Sequence, residues 1–282
     1  MGSNAASTSR TFLAYQHDAN LHLHDTIVAA VLPFSALEEP NRLLFKQGSE
    51  DDHVVITEQT IFHPQGGGQP SDVGSMTFAT TATKFAVTAV RMGQAQHDGQ
   101  VLHLGRFESS DGVEMAAFKP GDSIQQAIDV EKRTLYSRLH TAGHVLGAAV
   151  RHLLENEVEG FDELKASHFP DLANCEFRGL IDGKWKDPIQ AKLDEYLAAK
   201  LPVQVEWWDE EDFRANGLER LIPDRELLGV PAGEKFRVVN IVGAEVYPCG
   251  GTHVETTDRC GPTKVRKISR SKGISKVSYA VE

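Results

Sequence analysis

The hydrophobic pattern of the chain changes near residue 129, and this change is the strongest constraint on its fold. Before it, short runs rich in Val, Ile, Thr and Phe alternate with clusters of Gly, Pro, Asn and Asp, which is typical of antiparallel strands. The runs are DTIVAAVLPF (25–34), RLLF (42–45), HVVITEQTIF (53–62), SMTFATTATKFAVTAVRM (75–92) and QVLHLGRF (100–107). The sequence therefore predicts an N-terminal β-barrel or sandwich.

After residue 129 the apolar residues recur at steps of three and four, the spacing of one helical face. They are Leu135, Leu139, Ala142, Leu146, Ala149 and Leu153. We expect a long helix from an Asp129 cap to about Asn156, and a second from Asp187-Pro188 to Pro202. Strands are expected at 203–208, 236–242, 263–269 and 276–281, with a short helix at 210–221. The sequence thus predicts an α+β protein: a β domain at 1–120, then helices packed on an antiparallel sheet at 121–282.

One segment of the first domain, HPQGGGQPSDVG (63–74), interrupts the strand pattern. Three consecutive glycines are costly in a strand or helix. They usually mark a backbone with positive φ or one that approaches another group closely. A flexible linker is the alternative, but linkers are longer and are not flanked by apolar strands.

A possible metal site begins on the predicted long helix. In the segment HTAGH, His140 and His144 are four residues apart, so both imidazoles lie on one face. With 12 histidines in the chain, such a pair alone is weak support for a metal site. The segment CGGTH adds Cys249 and His253 across a glycine turn. Three imidazoles and one thiolate form the donor set that tetrahedral zinc prefers, so we expect one Zn²⁺ per chain.

The identity and spacing of the residues around these ligands disfavour two familiar classes of zinc protein. Thr141 follows the first histidine, where zinc peptidases carry a glutamate as general base. Zinc fingers need close ligand pairs in a small fold, whereas about a hundred residues separate the two pairs here. The residues alone leave open whether the ion is structural or holds water or substrate.

Composition narrows the class of protein. The 282 residues are 40% hydrophobic and 24% charged, which excludes intrinsic disorder and fibrous repeats. Neither a secretory signal nor an uninterrupted apolar stretch of membrane-spanning length is present, so we expect a cytoplasmic protein without a membrane partner. Three cysteines argue against a disulfide framework.

The charge is unevenly distributed along the chain. The formal net charge is −11, which argues against a general nucleic-acid binder. From residue 259 to 281, however, there are seven basic residues and no acidic one: Arg259, Lys264, Arg266, Lys267, Arg270, Lys272 and Lys276. This segment could bind a phosphate backbone, or it could be a solvated strand face.

Four segments in this order, IFHPQGGGQPSDVG, RLHTAGHVL, KASHFPD and PCGGTHV, closely resemble the AlaX family of free-standing alanyl-tRNA editing proteins. That family is related to the editing domain of alanyl-tRNA synthetase. The resemblance extends from about residue 25 to the C-terminus. It implies a small β-barrel followed by a zinc-containing α+β editing domain. It departs at His63 and Gly143, where the family more often has Tyr and a bulkier or hydroxyl residue.

The resemblance also implies site residues and an activity. His140, His144, Cys249 and His253 would be the zinc ligands, and the loop with Gly66, Gly67, Gly68, Gln69 and Asp72 would face the active-site cleft. The implied activity is hydrolysis of the seryl, and often glycyl, ester of tRNA(Ala). The chain would act in trans on released tRNA. Its oligomeric state is not predicted.

An aminoacyl ester is already activated, so its hydrolysis needs a positioned water and a polarised carbonyl rather than a strong nucleophile. The catalytic candidates are Gln69, Asp72, Thr141 and His168. A buried polar partner would select serine over alanine, and the candidates are Gln69, Thr141, Ser167 and His168. Glycines 66–68, Gln69 and Ser167 are the predicted substrate-binding residues. Two other hypotheses stay open: a non-catalytic zinc-stabilised RNA-binding module, and a metal-dependent hydrolase of a small ester or amide.

Overall fold

The computed structural model describes residues 9–78, 83–108, 117–228 and 230–282. Contacts divide the chain into two compact units. One comprises Met1–Gly66 and Pro70–Arg133, and the other comprises Gly67–Gln69 and Thr134–Glu282. Among the described residues, no helix combines the length and the apolar character needed to cross a membrane.

The first unit is a closed six-stranded barrel with strand order β2-β3-β7-β6-β5-β8. All neighbouring strands described in the barrel are antiparallel. The six barrel strands are β2 (Leu23–Pro33), β3 (His53–Thr57), β5 (Gly74–Phe78), β6 (Lys84–Met92), β7 (Val101–Glu108) and β8 (Ser123–Ile128). The unit also contains two short strands, β1 (Phe12–Leu13) and β4 (Gln59–Thr60), and the helices α1 (Ala14–His17) and α2 (Glu39–Arg42). β1 and β4 form a separate parallel pair. The structure confirms the barrel.

Side chains that alternate along the strands fill the barrel. Met76, Phe85, Val87, Val101 and Ile124 are all buried in one hydrophobic cluster. The run 75–92 is predicted to be β-strand. It contains β5 and β6, and residues 79–82 between them lie outside the described residues.

The predicted strand at 42–45 is wrong. α2 ends at Arg42 and a turn follows. Phe45 is buried with Phe34, Val54 and Leu104 in a second cluster that covers another side of the barrel wall. The apolar residues of RLLF are therefore packed against strands and are not themselves part of one.

The barrel extends beyond the predicted domain end at residue 120. β8 pairs with both β2 and β5 and so closes the barrel. The unit boundary consequently lies at Arg133 rather than at residue 120. Gly67–Gln69, which we had expected to belong to the barrel domain, make their contacts within the second unit.

The second unit contains the long helix, from Thr134 onward, and two antiparallel sheets, with strand orders β14-β15-β10-β9 and β11-β12-β13. Its helices are α3 (Val130–Leu154), α4 (Lys186–Ala198), α5 (Glu210–Ala215) and α6 (Arg225–Leu228), and its strands are β9 (Asp162–Ser167), β10 (Asn174–Arg178), β11 (Val203–Trp208), β12 (Phe236–Ile241), β13 (Glu245–Pro248), β14 (Thr263–Ser271) and β15 (Ile274–Val281). The structure confirms the α+β class with helices on antiparallel sheets.

The main core of this unit lies where α3 and α4 pack on the four-stranded sheet. Leu139 and Leu146 of α3 share one cluster with Phe177, Val277 and Tyr279 of the sheet. Leu139, Leu146, Phe177, Val277 and Tyr279 are each at most 1% exposed. This packing fixes one face of α3 and thereby sets which way its histidines point.

Candidate metal centre

The helix α3 supplies two imidazoles one turn apart. The ring centroids of His140 and His144 are 4.8 Å apart and the rings are stacked. His140 is 1% exposed. The stacking follows from the i, i+4 spacing, which places both side chains on the same helical face.

The other two donors come from the turn after β13. Cys249 and His253 flank a backbone that passes directly over the His140 ring. A Cβ on Gly251 would lie 2.3 Å from His140 Cε1 and 2.7 Å from Gln69 Oε1. Glycine is required here because any side chain would collide with a metal-site histidine.

The four donor atoms of His140, His144, Cys249 and His253 lie within 4.8 Å of one another. Cys249 Sγ is 3.4 Å from His140 Nε2 and 3.3 Å from His253 Nε2. Tetrahedral zinc with ordinary bond lengths would hold such atoms roughly 3.3–3.6 Å apart. His144 Nε2 is buried and has no hydrogen-bond partner among the described residues. An uncompensated buried nitrogen is costly, and a metal ion at this point would satisfy it. The residues therefore fit a metal ion.

Hydrogen bonds fix which nitrogen of His140 carries the proton. Its Nδ1 is 2.7 Å from Gln69 Oε1. The backbone N–H of Thr252 donates to the same oxygen at 3.0 Å, which identifies this atom as the carbonyl oxygen of the amide. His140 Nδ1 must therefore be the donor, and Nε2 keeps its lone pair for a metal.

The same argument holds for His253. Its Nδ1 is 3.2 Å from Thr141 Oγ1. The Thr141 hydroxyl donates its own proton to the Ser137 carbonyl at 2.9 Å, and its oxygen also accepts from the N–H of Val254 at 3.1 Å. Because the hydroxyl proton is already used, His253 Nδ1 donates to Thr141. Its Nε2 is then the nitrogen that could bind a metal.

Gln69 and Thr252 form a fully buried polar network beside the histidines. Gln69 Nε2 donates to Thr252 Oγ1 at 2.8 Å, and Ser137 Oγ is 2.8 Å from the same hydroxyl. Both Gln69 and Thr252 are 0% exposed. These contacts orient ligands and do not reach solvent.

Burial and nearby charge adjust the acid–base chemistry of the donors. Burial lowers the pKa of His144 well below its usual value, and electrostatic interactions with His168 and Arg237 act in the same direction. Burial raises the pKa of the Cys249 thiol, although the N–H of Gly251 and the charge of Arg237 oppose that shift. Arg237 also donates a hydrogen bond to the carbonyl of Cys249.

His168 adjoins this cluster. Its ring stacks on His140 with a centroid distance of 4.2 Å. Its Nδ1 is 2.7 Å from the hydroxyl of Tyr279, which donates to the Leu139 carbonyl at 2.9 Å. Burial lowers the pKa of His168 to about 3. The ring is therefore neutral near pH 7.

The space for His168 comes from Gly143. A Cβ on Gly143 would lie 2.4 Å from His168 Cε1 and 2.7 Å from the Tyr279 hydroxyl oxygen. This contact explains the departure noted in the sequence. A larger residue at position 143 would force the His168–Tyr279 pair away from the helix.

The three glycines differ in their surroundings. Gly67 has φ +55° and is exposed, with nothing within 4 Å of where a Cβ would lie. Gly68 has φ +78°, and its Cβ would lie 2.3 Å from the carbonyl oxygen of Ala166. Its own carbonyl accepts the N–H of His168 at 2.8 Å. Gly66 is exposed, and Ser167 is half-buried at the end of β9.

Asp72 belongs to the barrel unit, whereas the four donor residues belong to the second unit. The Arg133 guanidinium donates to both of its carboxylate oxygens, and the N–H of His63 donates to one of them at 2.6 Å. Asp72 is 1% exposed. Its oxygens are occupied by structural partners within its own unit.

The structure thus brings Gln69, Thr141 and His168 to the four predicted metal ligands. It also places four residues at this site that the sequence did not single out: Ser137, Arg237, Thr252 and Tyr279. Ser137 lies one helical turn before Thr141, and this spacing was the only local signal available for it.

Comparison with known proteins shows which families the chain is similar to. Residues 236–277 match the family described as the threonyl and alanyl tRNA synthetase second additional domain. The alanine–tRNA ligase of Methanosphaera stadtmanae is 30% identical over 244 residues, which cover 83% of this chain and 25% of the ligase. The ligase of Methanosarcina barkeri is 31% identical over 254 residues, covering 87% and 25%.

A relative named as an editing protein covers a similar share of the chain. The alanyl-tRNA editing protein AlaX-L of Pyrococcus horikoshii is 27% identical over 237 residues, which cover 82% of this chain and 52% of that protein. The chain therefore spans about a quarter of the length of the ligases and about half that of the editing protein.

Proposed function

Since the chain belongs to the AlaX family of alanyl-tRNA editing proteins, we propose that it hydrolyses the ester bond of mischarged tRNA(Ala), removing serine and also glycine. The released tRNA would be its substrate in trans, and the reaction would take place in the cytoplasm. Alanyl-tRNA editing is the activity stated in the name of one relative, AlaX-L of Pyrococcus horikoshii.

One observation carries this proposal. The four donor atoms of His140, His144, Cys249 and His253 lie within 4.8 Å of one another, and the hydrogen bonds to Gln69 and Thr141 assign the donor role to Nδ1 of His140 and of His253. The donor set of three nitrogens and one sulfur favours zinc. Bound there, the ion would supply an electrophilic centre able to polarise an ester carbonyl or hold a water molecule.

The remaining predicted residues divide into two proposed roles. Gln69 and Thr141 are positioning residues, because their polar atoms already contact ligand histidines or the backbone beside them. The exposed backbone of Gly66 and Gly67, together with Ser167, would contact the substrate. His168 would line the site, held by Tyr279 and by the carbonyl of Gly68.

Asp72 is proposed to act only through the fold of its own unit. Its carboxylate is neutralised by Arg133 and is almost fully buried. A general base needs a free lone pair within reach of the proton that it removes. The Asp72 carboxylate is held by Arg133 and by the N–H of His63 and is only 1% exposed, so we propose a structural role for it.

The test is hydrolysis of tRNA(Ala) charged with labelled serine, glycine or alanine. We expect loss of label from the seryl and glycyl esters, little loss from the alanyl ester, and about one equivalent of zinc in the purified protein. Chelation should abolish the activity. Stable binding of tRNA without hydrolysis of any of the three esters would instead support the RNA-binding module.

A matched pair of variants tests the metal ligand. Cys249→Ala should lose zinc and deacylation together. Cys260→Ala removes a buried thiol outside the cluster and should keep both. Full zinc content in Cys249→Ala would exclude the thiolate as a ligand.

A further inference from the structure

The outer face of the four-stranded sheet is the most distinctive surface of the second unit outside the metal centre. Strand alternation directs Val265, Val277 and Tyr279 into the core, where each is at most 4% exposed. The residues between them point away from the core. Lys264 and Lys267 of β14 are such residues, and both are exposed.

One line of polar residues crosses this face from edge to edge. Lys267 of β14 is the register partner of Ser278 of β15, Ser278 of Asn174 of β10, and Asn174 of Ser167 of β9. We call these four residues the polar row. Three strand spacings separate its ends, or about 14 Å.

The polar row ends beside the metal centre. Ser167 directly precedes His168, whose backbone N–H donates to the carbonyl of Gly68 at 2.8 Å. The His168 ring stacks on the metal-site residue His140 at 4.2 Å. A chain-like ligand lying along the row would therefore have its end next to the metal cluster.

The opposite end of the row carries positive charge that is not neutralised. Lys276, nearer the centre of the sheet, pairs with Glu176 at 2.8 Å. In contrast, Lys264, Arg266 and Lys267 make no ion pair with any residue in the described parts of the chain. We call these three residues the basic cluster. It is exposed on a chain whose net charge is −11.

We propose that the basic cluster and the polar row form the docking surface for the acceptor arm of tRNA. The basic cluster binds backbone phosphates, and the 3′ end follows the row toward the metal centre. The occupant is RNA because its evenly spaced phosphates complement three unneutralised cations, and hydroxyl and amide side chains suit phosphate and ribose oxygens. The inference rests on the proposed function.

Lysines on an edge strand can also have a different role, which is to discourage pairing of that strand with a second sheet. That role concerns aggregation and predicts no change in RNA affinity when the charges are removed. A measurement of tRNA affinity therefore separates the two roles.

The test compares two triple variants of the full chain with equal net charge. One is Lys264→Gln, Arg266→Gln and Lys267→Gln. The control is Lys46→Gln, Lys119→Gln and Lys186→Gln, which removes three exposed cations elsewhere. Binding of uncharged tRNA(Ala) is titrated between 50 and 200 mM salt. We expect the first variant to bind about tenfold more weakly, with a salt slope reduced by about 2, since each lost contact removes about 0.7–0.9. The control should match the wild type.

A second substrate separates failure of this surface from failure of the proposed function. Seryl-adenosine carries the ester but lacks the acceptor arm, so its hydrolysis depends on the metal centre and not on the basic cluster. We expect the first variant to hydrolyse it at the wild-type rate while its KM for seryl-tRNA(Ala) rises about tenfold. Wild-type tRNA affinity and salt slope in the first variant would overturn the docking surface, whatever the activity. No hydrolysis of either ester by the wild type would overturn the proposed function and leave the binding titration valid.

Discussion

Thr141 shows how one buried side chain can support a metal site through a ligand. Its hydroxyl donates a hydrogen bond to the Ser137 carbonyl and accepts hydrogen bonds from His253 Nδ1 and from the N–H of Val254. These contacts set both the tautomer and the orientation of His253. Groups that orient ligands in this way commonly contribute tenfold to a hundredfold to metal affinity.

We therefore expect Thr141→Val, which keeps the shape but removes the hydroxyl, to weaken zinc binding by roughly tenfold to a hundredfold. Competition with a chromophoric chelator measures the change. Thr263→Val is the matched control, because Thr263 is also buried and, among the described residues, its hydroxyl bonds only to the Gly261 carbonyl. Equal zinc affinity in the two variants would show that Thr141 does not position His253.

His103 gives a second prediction for a single residue, in the barrel unit. It is fully buried, with Nδ1 2.9 Å from the Val55 carbonyl and Nε2 2.8 Å from Thr60 Oγ1. Burial lowers the pKa of His103 to about 4 from an ordinary value of 6.5. The unfolded chain therefore binds more protons than the folded chain between these pKa values, and stability falls as the pH falls through 6.5 toward 4.

Between pH 7.5 and pH 5 we expect this residue to remove about 2 kcal/mol from the free energy of unfolding, at about 1.4 kcal/mol per pKa unit. Urea unfolding of the wild type and of His103→Gln across this range measures it. Other groups, including the metal ligands, titrate in both proteins, so the difference between the two curves isolates His103. Parallel curves would contradict the prediction.

At the scale of elements, the local pattern was sufficient wherever apolar residues recur regularly. β11 has the predicted bounds, and α3 begins directly after its predicted cap, Asp129, whose carboxylate accepts the N–H of Lys132 at 3.0 Å. β9 was not predicted, because its sequence DELKAS holds three charged residues and little apolar surface. Its strand form depends on pairing with β10, a contact that local pattern does not encode.

In the candidate site, too, some residues could be predicted from local sequence patterns and others could not. The cluster of four candidate ligands follows from two short segments, HTAGH and CGGTH, so it could be predicted from the sequence. The role of Gly68 could not, because its constraint is the carbonyl of Ala166, nearly a hundred residues away in the chain. For the same reason Gly143 was only an unexplained departure until its contact with His168 and Tyr279 was known.

The glycine turn allows loss of folding to be separated from loss of function. Gly67 and Gly217 are both exposed, have φ of +55° and +67°, and have nothing within 4 Å of where a Cβ would lie. Replacing either by Val should cost about 1–2 kcal/mol of stability through φ strain alone. Only Gly67→Val should reduce deacylation per folded molecule, by about tenfold or more, if the backbone at Gly67 contacts substrate. Thermal unfolding and deacylation are measured on both variants. Equal specific activities would remove Gly67 from the substrate-binding surface.

At the scale of the whole molecule, the chain consists of two compact units with separate cores, and all four candidate metal ligands belong to the second. Bound metal stabilises only a state that contains the assembled site. Its contribution to stability should therefore be concentrated in the second unit. The barrel, closed by its own strand ladder and filled by its own cluster, contains no member of the ligand set.

Removal of the metal should therefore change hydrogen exchange in one unit and spare the other. With zinc at about a thousand times its dissociation constant, the holo form gains about 4 kcal/mol over the apo form. Chelation should remove protection from the ligand-bearing part of α3 and from residues 249–254, whereas β3, β6 and β7 of the barrel should exchange as before. Cys249→Ala should reproduce the chelated pattern without chelator, and Cys260→Ala should not, because Cys260 is not among the four donors. Equal loss of protection in the barrel strands would show that the metal stabilises the molecule as one cooperative unit, contrary to this prediction.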